Sequence, residues 1–447
     1  MNLDGQVVAI VGLGKSGIAA ARVCLDRGAA VIGMDEAPRE RLSPDALALR
    51  DRGARLLCGP LAVEPLKECD IVVVSPGIPT HVVLDEAAAA GCEVIGELEL
   101  ASRFITAPIA LIGGTNGKST VTAWIAAMLE RAGQRVFVGG NFGTAMCEAV
   151  DQPWDVLVVE ISSFQAERVP SLHAQVHALL NITDDHLDRY DSFQAYADAK
   201  GNPFVAMTAE DVAVLPAGDP LCAAQASRGG ARRVHFSIEP GQGEVSLEGD
   251  VIVDRAFGDR YPIADLKVRG THNLQNACAA IAVARALGAP PEAVTAALGD
   301  FTGLPHRHVL VAEVSGVRYY DDSKATNVGA AVAALRGLQE ARAVLIAGGR
   351  DKHGTLTPLV EALADRGRAL VVMGEAAERF AAAAEGVLPI VPVGSMAEAV
   401  REAAGLAEPG DAVLLSPACS SFDMFGSFPA RGRAFADAVA SELGGES

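Results

Sequence analysis

The stretch GGTNGKSTV, residues 113–121, combines glycines with a cation and three hydroxyl groups. Its backbone N–H groups could surround a phosphate, its lysine could reach the outer phosphate oxygens, and a hydroxyl could bind Mg²⁺. These features predict a binding loop for a nucleoside triphosphate such as ATP. The residues concerned are Gly114, Thr115, Asn116, Gly117, Lys118, Ser119 and Thr120.

This loop differs from the general nucleotide-binding pattern at one position. The pattern places a glycine five residues before Gly117, where this chain has Ile112. Taking Gly114 as the first glycine shortens the loop but keeps the phosphate cradle, the cation and the hydroxyl. A plain turn between a strand and a helix would explain the glycines, but not the Lys-Ser-Thr sequence at the start of the helix.

A second glycine-rich loop lies near the N-terminus, in VGLGKSG. Gly12, Gly14 and Gly17 follow a predicted strand and precede a predicted helix, and Asp35 ends the next strand. Taken alone, this pattern is the fingerprint of dinucleotide binding and indicates an NAD-dependent oxidoreductase. The alternative is a tightly packed strand–helix turn that binds no ligand.

Carboxylates and a histidine occur where a metal ion could be bound. Glu160 ends the strand VLVVE, so its side chain is expected at the carboxyl edge of a sheet, where open α/β folds bind ligands. In NITDDHLDRY, His186 lies among Asp184, Asp185 and Asp188. We expect His186 to position a substrate or to lie near the metal, while the acids are equally well explained as a solvated loop.

Further cations and polar groups are concentrated in the C-terminal part of the chain. A lone lysine at a helix end, such as Lys200, usually interacts only with the helix dipole. Arg307 is a candidate for an arginine brought onto a phosphate from another domain. The remaining candidates lie in YDDSKATN, GGRDKHG and SPACSSFDMF: Asp322, Lys324, Thr326, Asn327, Lys352 and the serines near position 420.

The length and composition predict the elements that must position these residues. A chain of 447 residues suggests about three domains at ~150 residues each. Apolar runs of four to eight residues alternate with helical patterns, which is typical of parallel sheets covered on both faces. We predict an α/β protein with a Rossmann-like domain at 1–97, a central P-loop ATPase-like domain with a parallel or mixed sheet at 98–303, and a C-terminal Rossmann-like domain at 304–447. Within the central domain, the stretch 218–269 is expected to be less regular.

The charge and cysteine content exclude several classes of protein. The 37 basic and 56 acidic residues give a net charge of −19, which argues against nucleic acid or an anionic membrane as a partner. The eight cysteines form no C-x-x-C pair, which argues against a zinc site or a disulfide framework. No apolar run approaches the ~18 residues of a membrane span. We therefore expect a cytoplasmic protein without an integral membrane segment.

Taken together, the motifs identify a family resemblance. In order along nearly the whole chain, GTNGKST, GGN, VEISSFQ, NITDDHLDRY, GTHNLQNA, TGLPHR, DDSKATN and LSPACSSFD resemble the Mur ligases. The resemblance implies ATP-dependent amide-bond formation in peptidoglycan precursor synthesis. SSFQ and DSKATN imply the small-molecule substrates UDP-N-acetylmuramoyl-L-alanine and D-glutamate, joined through an acyl phosphate. We expect the enzyme to be a monomer.

The resemblance also implies roles for individual residues. It assigns the ATP phosphates to the loop 114–120 and Arg307, adenine to Asn276, ribose to Asp322, and Mg²⁺ to Ser119, Glu160 and a carbamylated Lys200. It places Lys118, Glu160, His186, Lys200 and Lys324 at the reaction. It assigns the UDP part of the substrate to the N-terminal loop and its surroundings, through Lys15, Ser16, Asp35, Ser75 and Gly77. The muramoyl-alanine end of that substrate is assigned to Asn141 and His186. D-glutamate is assigned to the C-terminal part, through Thr326, Lys352, Ser421 and Phe428.

The chain departs from the family pattern in three places. Glu36 and Ala37 stand where relatives often carry a threonine and an arginine, so the uracil contacts must differ. Pro203 disfavours helical geometry at Asn202, so the helix that carries Lys200 is expected to stop early. His308 follows Arg307 near a position where relatives often carry an acidic residue.

Three other functions are compatible with the residues. The first is a sister Mur ligase or folylpolyglutamate-type ligase with another acceptor amino acid. The second is the NAD-dependent oxidoreductase based on residues 12–17. The third is a nucleotide-gated binding protein, which would release phosphate from ATP without needing an amino acid.

Overall fold

The computed structural model describes residues 2–79, 81–187, 189–268 and 270–444, so the candidate Asp188 lies outside the described residues. Across these ranges, three β-sheets follow one another along the chain, each with helices packed against it. The prediction of an α/β fold is confirmed. Within the same ranges, no helix is both long enough and apolar enough to cross a membrane.

The first sheet is parallel, with the strand order β3-β2-β1-β4-β5 of a Rossmann-like unit. Its strands are β1 Val7–Val11, β2 Ala30–Asp35, β3 Arg55–Cys58, β4 Ile71–Val74 and β5 Glu93–Gly96. Its helices are α1 Lys15–Asp26, α2 Pro44–Ala48, α3 Glu64–Lys67, α4 Val82–Ala89 and α5 Glu97–Ser102. The central strand β1 is buried along nearly its whole length, because helices cover both faces of the sheet.

The second sheet is mixed, in the order β14-β13-β12-β11-β10-β9-β6-β8-β7, with β13 and β14 antiparallel at one end. Its strands are β6 Ile109–Gly113, β7 Val136–Gly140, β8 Val156–Glu160, β9 Val176–Leu179, β10 Val212–Pro216, β11 Arg232–Ser237, β12 Val245–Glu248, β13 Val251–Asp254 and β14 Asp259–Pro262. Its helices are α6 Lys118–Arg131, α7 Ser163–Ala166, α8 Phe193–Gly201, α9 Pro220–Ala226, α10 Thr271–Ala286 and α11 Pro291–Asp300.

The third sheet has the order β15-β16-β20-β17-β18-β19, with β15 antiparallel to β16 and the other neighbours parallel. Its strands are β15 Val309–Val314, β16 Val317–Asp321, β17 Ala343–Gly348, β18 Gly367–Met373, β19 Ile390–Pro392 and β20 Ala412–Leu415. Its helices are α12 Val328–Arg336, α13 Thr357–Arg366, α14 Ala377–Ala383, α15 Met396–Leu406 and α16 Phe428–Leu443.

The alanine-rich helix α10 packs closely against the central sheet, beside the start of α6. Residues 277–284 of α10 are all buried, and α10 packs with α6 over one face of the sheet. Small side chains allow helix and sheet backbones to approach each other. This packing places the N-terminal turn of α10, with Asn276, beside the start of α6.

The structure corrects two expectations from the sequence. The stretch 218–269 is not irregular, because it forms α9 and the strands β11 to β14. The α-helix that carries Lys200 ends at Gly201, as expected from Pro203, but Asn202 keeps helical angles, with φ −56° and ψ −39°, and begins a short 3₁₀ turn. Tertiary hydrogen bonds outweigh the local preference, since the Asn202 side chain donates to the Ala166 carbonyl at 2.9 Å and accepts from Arg228 at 2.7 Å.

Candidate active site

The glycine loop runs from the end of β6 to the start of α6, as predicted. Gly114 and Gly117 have φ values of +134° and +86°, which side chains other than glycine rarely adopt. A Cβ atom on Gly117 would lie 2.5 Å from Asn276 Oδ1. The loop therefore requires glycine at this position both for its backbone angle and for the close approach of Asn276.

Asn181, at the end of β9, braces this loop. Its Oδ1 accepts hydrogen bonds from the backbone N–H groups of Thr115 at 3.1 Å and Asn116 at 2.8 Å. Its Nδ2 donates to the Asn116 carbonyl at 3.1 Å. In this structure, two N–H groups that the sequence suggested for a phosphate are thus directed to Asn181. The N-terminus of α6 begins at Lys118 and has no side-chain cap, so its backbone N–H groups are suited to binding an anion.

Two lysines, the buried Lys200 and the partly buried Lys118, donate hydrogen bonds to carbonyl groups of the loop. Lys118 Nζ donates to the Thr115 carbonyl and Lys200 Nζ to the Gly114 carbonyl, each at 2.8 Å. Burial lowers the pKa of both amines, and the charge of Lys118 lowers the pKa of Lys200 further, well below its ordinary value. Lys200 therefore lies at the nucleotide loop, although its helix position alone gave little reason to expect it there.

Hydroxyl and carboxylate oxygens meet beside the loop. Ser119 Oγ donates to Glu160 Oε2 at 2.5 Å, and Asn141 Nδ2 donates to Glu160 Oε1 at 2.5 Å. Glu160 is buried at the carboxyl end of β8, as expected for the last residue of a central parallel strand. Both oxygens belong to the hard-ligand class that Mg²⁺ prefers. The predicted metal ligands Ser119 and Glu160 are thus in direct contact.

Asp185 connects the third sheet to the nucleotide loop. Its Oδ1 accepts a hydrogen bond from Lys352 Nζ at 2.9 Å, and its Oδ2 accepts one from Asn327 Nδ2 at 3.1 Å. Asn327 Nδ2 also donates to Asn116 Oδ1 at 3.0 Å. Burial alone would raise the pKa of Asp185, but the charges of Lys352 and His186 and the hydrogen bonds from Lys352 and Asn327 together lower it below its ordinary value. The sequence suggested an acidic loop that could be solvated, whereas Asp185 is buried.

The same loop also contacts the turn after β4. His186, with φ +55°, packs its ring edge-on against Phe164 at 4.7 Å, and Arg189 stacks on the same ring at 3.9 Å. Arg189 then reaches the Pro76 and Ile78 carbonyls at 3.4 Å. This loop therefore contacts both the first and the third sheet units.

Arg307 lies between two histidines with strained backbone angles. His306 and His308 have φ values of +61° and +56°. His308 donates its N–H to Asp322 Oδ1 at 3.1 Å, and its ring stacks on Tyr320 at 4.8 Å. This stacking gives a physical reason for the histidine at position 308. Burial lowers the pKa of Arg307, and the nearby carboxylates oppose that shift.

The carboxylate of Asp322 accepts hydrogen bonds from groups of the third sheet unit. Its Oδ2 accepts a hydrogen bond from Ser416 Oγ at 2.9 Å, and burial raises its pKa to about 7. Its predicted contact with a ribose would therefore involve a carboxyl group that already has two protein donors.

Two of the residues predicted for the amino-acid end of the site, Lys324 and Phe428, meet at the start of α16. Lys324 Nζ lies over the Phe428 ring at 4.3 Å, and burial lowers the pKa of Lys324 to about 8. Ser421 is buried, while Thr326 is partly exposed. Buried Arg431 donates to the Ser323 and Cys419 carbonyls at 2.9 and 3.0 Å, which ties together the two loops that carry these residues.

The N-terminal loop is built around close backbone contacts. Gly12 has φ +89°, and a Cβ atom on Gly17 would lie 1.9 Å from the Gly12 carbonyl oxygen. Ser75 Oγ donates to that carbonyl at 2.7 Å. Asp35 accepts a hydrogen bond from the N–H group of Leu13 in the loop at 2.7 Å, and one from its own neighbour Ala37 at 2.9 Å. In this structure Asp35 thus braces the loop itself.

The other predicted substrate residues of the first sheet unit border this loop. Lys15 and Ser16 form the first turn of α1, which carries no acidic residue. Lys15 and Gly77 are exposed. An uncapped helix N-terminus with a lysine beside it is suited to binding an anion such as a pyrophosphate.

Sequence reasoning missed several residues of this arrangement. Asn181, Asn327 and Arg431 were not singled out for the roles described here, and Asp185 was not separated from its acidic neighbours. Asn181 follows the buried strand β9 and therefore lies at the same edge as Glu160, which was a usable signal. Arg431 lies within a helix and offered no such signal.

The chain matches the sequence patterns of three Mur ligase domains. Residues 6–96 match the Mur ligase MurD-like N-terminal domain, residues 112–284 the Mur ligase middle domain, and residues 306–419 the Mur ligase glutamate ligase domain. A solved structure with a similar fold is the UDP-N-acetylmuramate-alanine ligase of Thermotoga maritima. It has a TM-score of 0.60 at 18% identity, over 98% of this chain and all of that one. A pseudomurein peptide ligase type C from Methanothermus fervidus has a TM-score of 0.59 at 19% identity, over 92% and 96% of the two chains.

Curated relatives align over almost the whole chain. The UDP-N-acetylmuramoylalanine--D-glutamate ligase of Syntrophotalea carbinolica is 43% identical over 444 residues, 98% of each chain. The enzyme of the same name from Geobacter metallireducens is 42% identical over 445 residues, also 98% of each chain. These matches support the ligase interpretation over the oxidoreductase. With this identity and coverage, and with the family's domains in order, the chain belongs to the Mur ligases, ATP-dependent enzymes that form amide bonds.

Proposed function

We propose that this Mur ligase joins D-glutamate to UDP-N-acetylmuramoyl-L-alanine, at the cost of ATP, in the synthesis of peptidoglycan precursors. The substrate carboxylate attacks the γ-phosphate of ATP, which forms an acyl phosphate and releases ADP. The amine of D-glutamate then attacks the carbonyl carbon, and phosphate leaves. The observation that carries the proposal is the meeting of three groups at one sheet edge: the glycine loop with Lys118, the Ser119–Glu160 pair, and Lys352 from the third sheet. The names of the most similar relatives agree with this reaction.

The residues at the loop fit ATP and Mg²⁺. Glycines at positions 114 and 117 allow the positive φ angles with which the loop leads into the uncapped N-terminus of α6, and Lys118 supplies a cation there. Ser119 and Glu160 offer hard oxygen ligands for Mg²⁺, with Thr120 in the same turn. The metal would neutralise the triphosphate so that an anionic carboxylate can attack it. In the proposal, Asn276, Asp322 and Arg307 contact the adenine, the ribose and a phosphate.

Lys200 is proposed to act as a carbamate. Carbamylation needs a neutral amine, and burial beside Lys118 lowers the pKa of Lys200 well below its ordinary value. The carbamate would replace a buried cation with an anion, and it would add a third oxygen ligand for the metal beside Ser119 and Glu160. Its amine is already held at the loop by the Gly114 carbonyl, at 2.8 Å.

The two other substrates are assigned to opposite sides of the loop. The UDP-linked substrate would occupy the first sheet unit, through Lys15, Ser16, Asp35, Ser75 and Gly77, and its muramoyl-alanine end would reach Asn141 and His186. D-glutamate would lie in the third unit, among Thr326, Lys352, Ser421 and Phe428, with Lys324 near the reacting groups.

We propose domain boundaries at 97/98 and 303/304, one sheet in each domain, and a monomeric enzyme acting in the cytoplasm. The sheets support the division, since each has a hydrophobic cluster formed within its own unit. A further cluster, which includes Ile10 of β1 and Leu111 of β6, packs the first unit against the second. Light scattering of the purified protein tests the monomer, because a mass near 46.1 kDa is expected.

The reaction is tested by phosphate release from ATP with Mg²⁺ and UDP-N-acetylmuramoyl-L-alanine, adding each amino acid in turn. We expect release that requires D-glutamate and is lost in Lys118→Ala, because the variant lacks the cation at the phosphates. Release with another amino acid alone would assign the chain to a sister ligase. Release without any amino acid would indicate a nucleotide-gated binding protein instead.

A further inference from the structure

Asp185 lies where the proposed amino-acid site meets the nucleotide loop. It is 8% exposed, and its two oxygens accept hydrogen bonds from Lys352 and Asn327 of the third sheet unit. The side chain of Lys352 is itself only 15% exposed. A carboxylate and an ammonium group are thus paired at 2.9 Å with little solvent between the two sheet units.

This pairing has a consequence for any ligand that binds Lys352. A substrate carboxylate can bind the Lys352 ammonium group only if it shares that group with Asp185 or replaces Asp185 there. Displacement alone would leave a buried carboxylate without its cation, which is strongly unfavourable. An α-amino acid removes this difficulty, since it carries an ammonium group next to its carboxylate.

We propose that Asp185 binds the ammonium group of the acceptor amino acid, so that the substrate's two charges replace the Lys352–Asp185 ion pair of the ligand-free enzyme. The inference rests on the proposed function, which assigns the substrate carboxylate to Lys352. It makes Asp185 a specificity residue: the enzyme selects a zwitterionic acceptor and rejects a dicarboxylate of the same length. Asn327 continues to hold the second oxygen of Asp185 and keeps the carboxylate oriented.

The test compares D-glutamate with glutarate, which has the same carbon chain and both carboxylates but no amine. Ligation is measured with ATP, Mg²⁺ and UDP-N-acetylmuramoyl-L-alanine, and glutarate is measured as an inhibitor competing with D-glutamate. In Asp185→Asn, we expect KM for D-glutamate to rise about 10- to 100-fold, the effect of losing a hydrogen bond between charged groups. The inhibition constant of glutarate should not rise, because the variant no longer repels a second carboxylate.

Two variants provide matched controls. Asp184→Asn changes the neighbouring carboxylate, which accepts a hydrogen bond from Thr355 Oγ1 at 3.2 Å, and should leave both constants within about twofold. Lys352→Met should weaken D-glutamate and glutarate together, because both need the cation. KM for ATP in Asp185→Asn should stay near the wild-type value, which separates this role from damage to the nucleotide loop.

The proposal is overturned if D-glutamate and glutarate weaken equally in Asp185→Asn, because that pattern indicates a purely structural role. It is also overturned if KM for D-glutamate does not change. If the variant does not fold, the wild-type enzyme decides: glutarate must bind at least tenfold more weakly than D-glutamate, and equal binding refutes the inference. If wild-type enzyme uses another amino acid, the proposed function fails, and the same comparison is made with that amino acid and its deaminated form.

Discussion

Removing the side chain of Asn181 should loosen the nucleotide loop without unfolding the sheet beneath it. Asn181→Ala deletes the acceptor of the Thr115 and Asn116 N–H groups and the donor to the Asn116 carbonyl. Thr115 N–H keeps a bond to the Asn181 backbone carbonyl at 3.0 Å, so about two full hydrogen bonds are lost. At roughly 1 to 1.5 kcal/mol each, the closed loop is destabilised by about 2 to 3 kcal/mol.

Hydrogen exchange of the peptide 109–121 measures this loss directly. A change of about 2 to 3 kcal/mol corresponds to a roughly 30- to 150-fold faster exchange of the loop amides. KM for ATP should rise with it, because the loop must be ordered again on binding. Asn181→Asp is the control: it keeps the acceptor for both N–H groups, loses only the donor, and should exchange less than about tenfold faster.

The reasoning is refuted if Asn181→Ala exchanges like the wild-type protein in this peptide. It is refuted equally if exchange quickens over the whole central sheet, since the side chain would then support the core and not the loop. Peptides from α10 and β10 report on the core in the same experiment.

Two further predictions concern the first sheet unit. Gly17→Ala places a Cβ atom 1.9 Å from the Gly12 carbonyl oxygen, so KM for the UDP-linked substrate should rise at least about tenfold while KM for ATP stays unchanged. Gly14→Ala is the control and should behave like wild type, because nothing lies within 4 Å of its added Cβ. Equal effects of the two substitutions would contradict the assignment of this loop to the UDP-linked substrate. Burial raises the pKa of the Glu97 carboxyl group from its ordinary 4.5 to about 7. The protonated carboxyl group therefore contributes to the free energy of unfolding in full below pH 4.5, and this contribution is lost as the pH rises through 7. Glu97→Gln should therefore be more stable than wild type at pH 8, by up to about 3 kcal/mol, and equal slopes of unfolding free energy against pH between 5 and 8 would contradict it.

Strands with a continuous apolar run were predictable from the sequence, while several edge strands without one were not. Strands such as β1, β6, β8 and β17 are buried on both faces and therefore read as continuous apolar runs. β3, with the sequence RLLC, and β15, which is largely exposed, lie at sheet edges and give no such signal. The strands β11 to β14 were missed for a related reason, since they close the mixed end of the central sheet.

The positions of the candidate residues were also largely predictable, since residues at the carboxyl ends of parallel strands share one edge. Ser119 and Glu160 were expected near the same metal, and they are in contact. The partners of these residues were not predictable. Nothing local to Asn181 indicates that its side chain binds the loop 65 positions earlier along the chain.

The α/β fold class, the two glycine loops and the family resemblance are predictable from the amino-acid sequence, because they depend on local patterns of apolar, glycine and polar residues. Which charged side chains pair with each other depends on the tertiary structure. Lys352 and Asp185 are 167 positions apart, and no local pattern relates them. Their contact depends on how the third sheet unit packs against the second, so it follows from the packing of the whole chain.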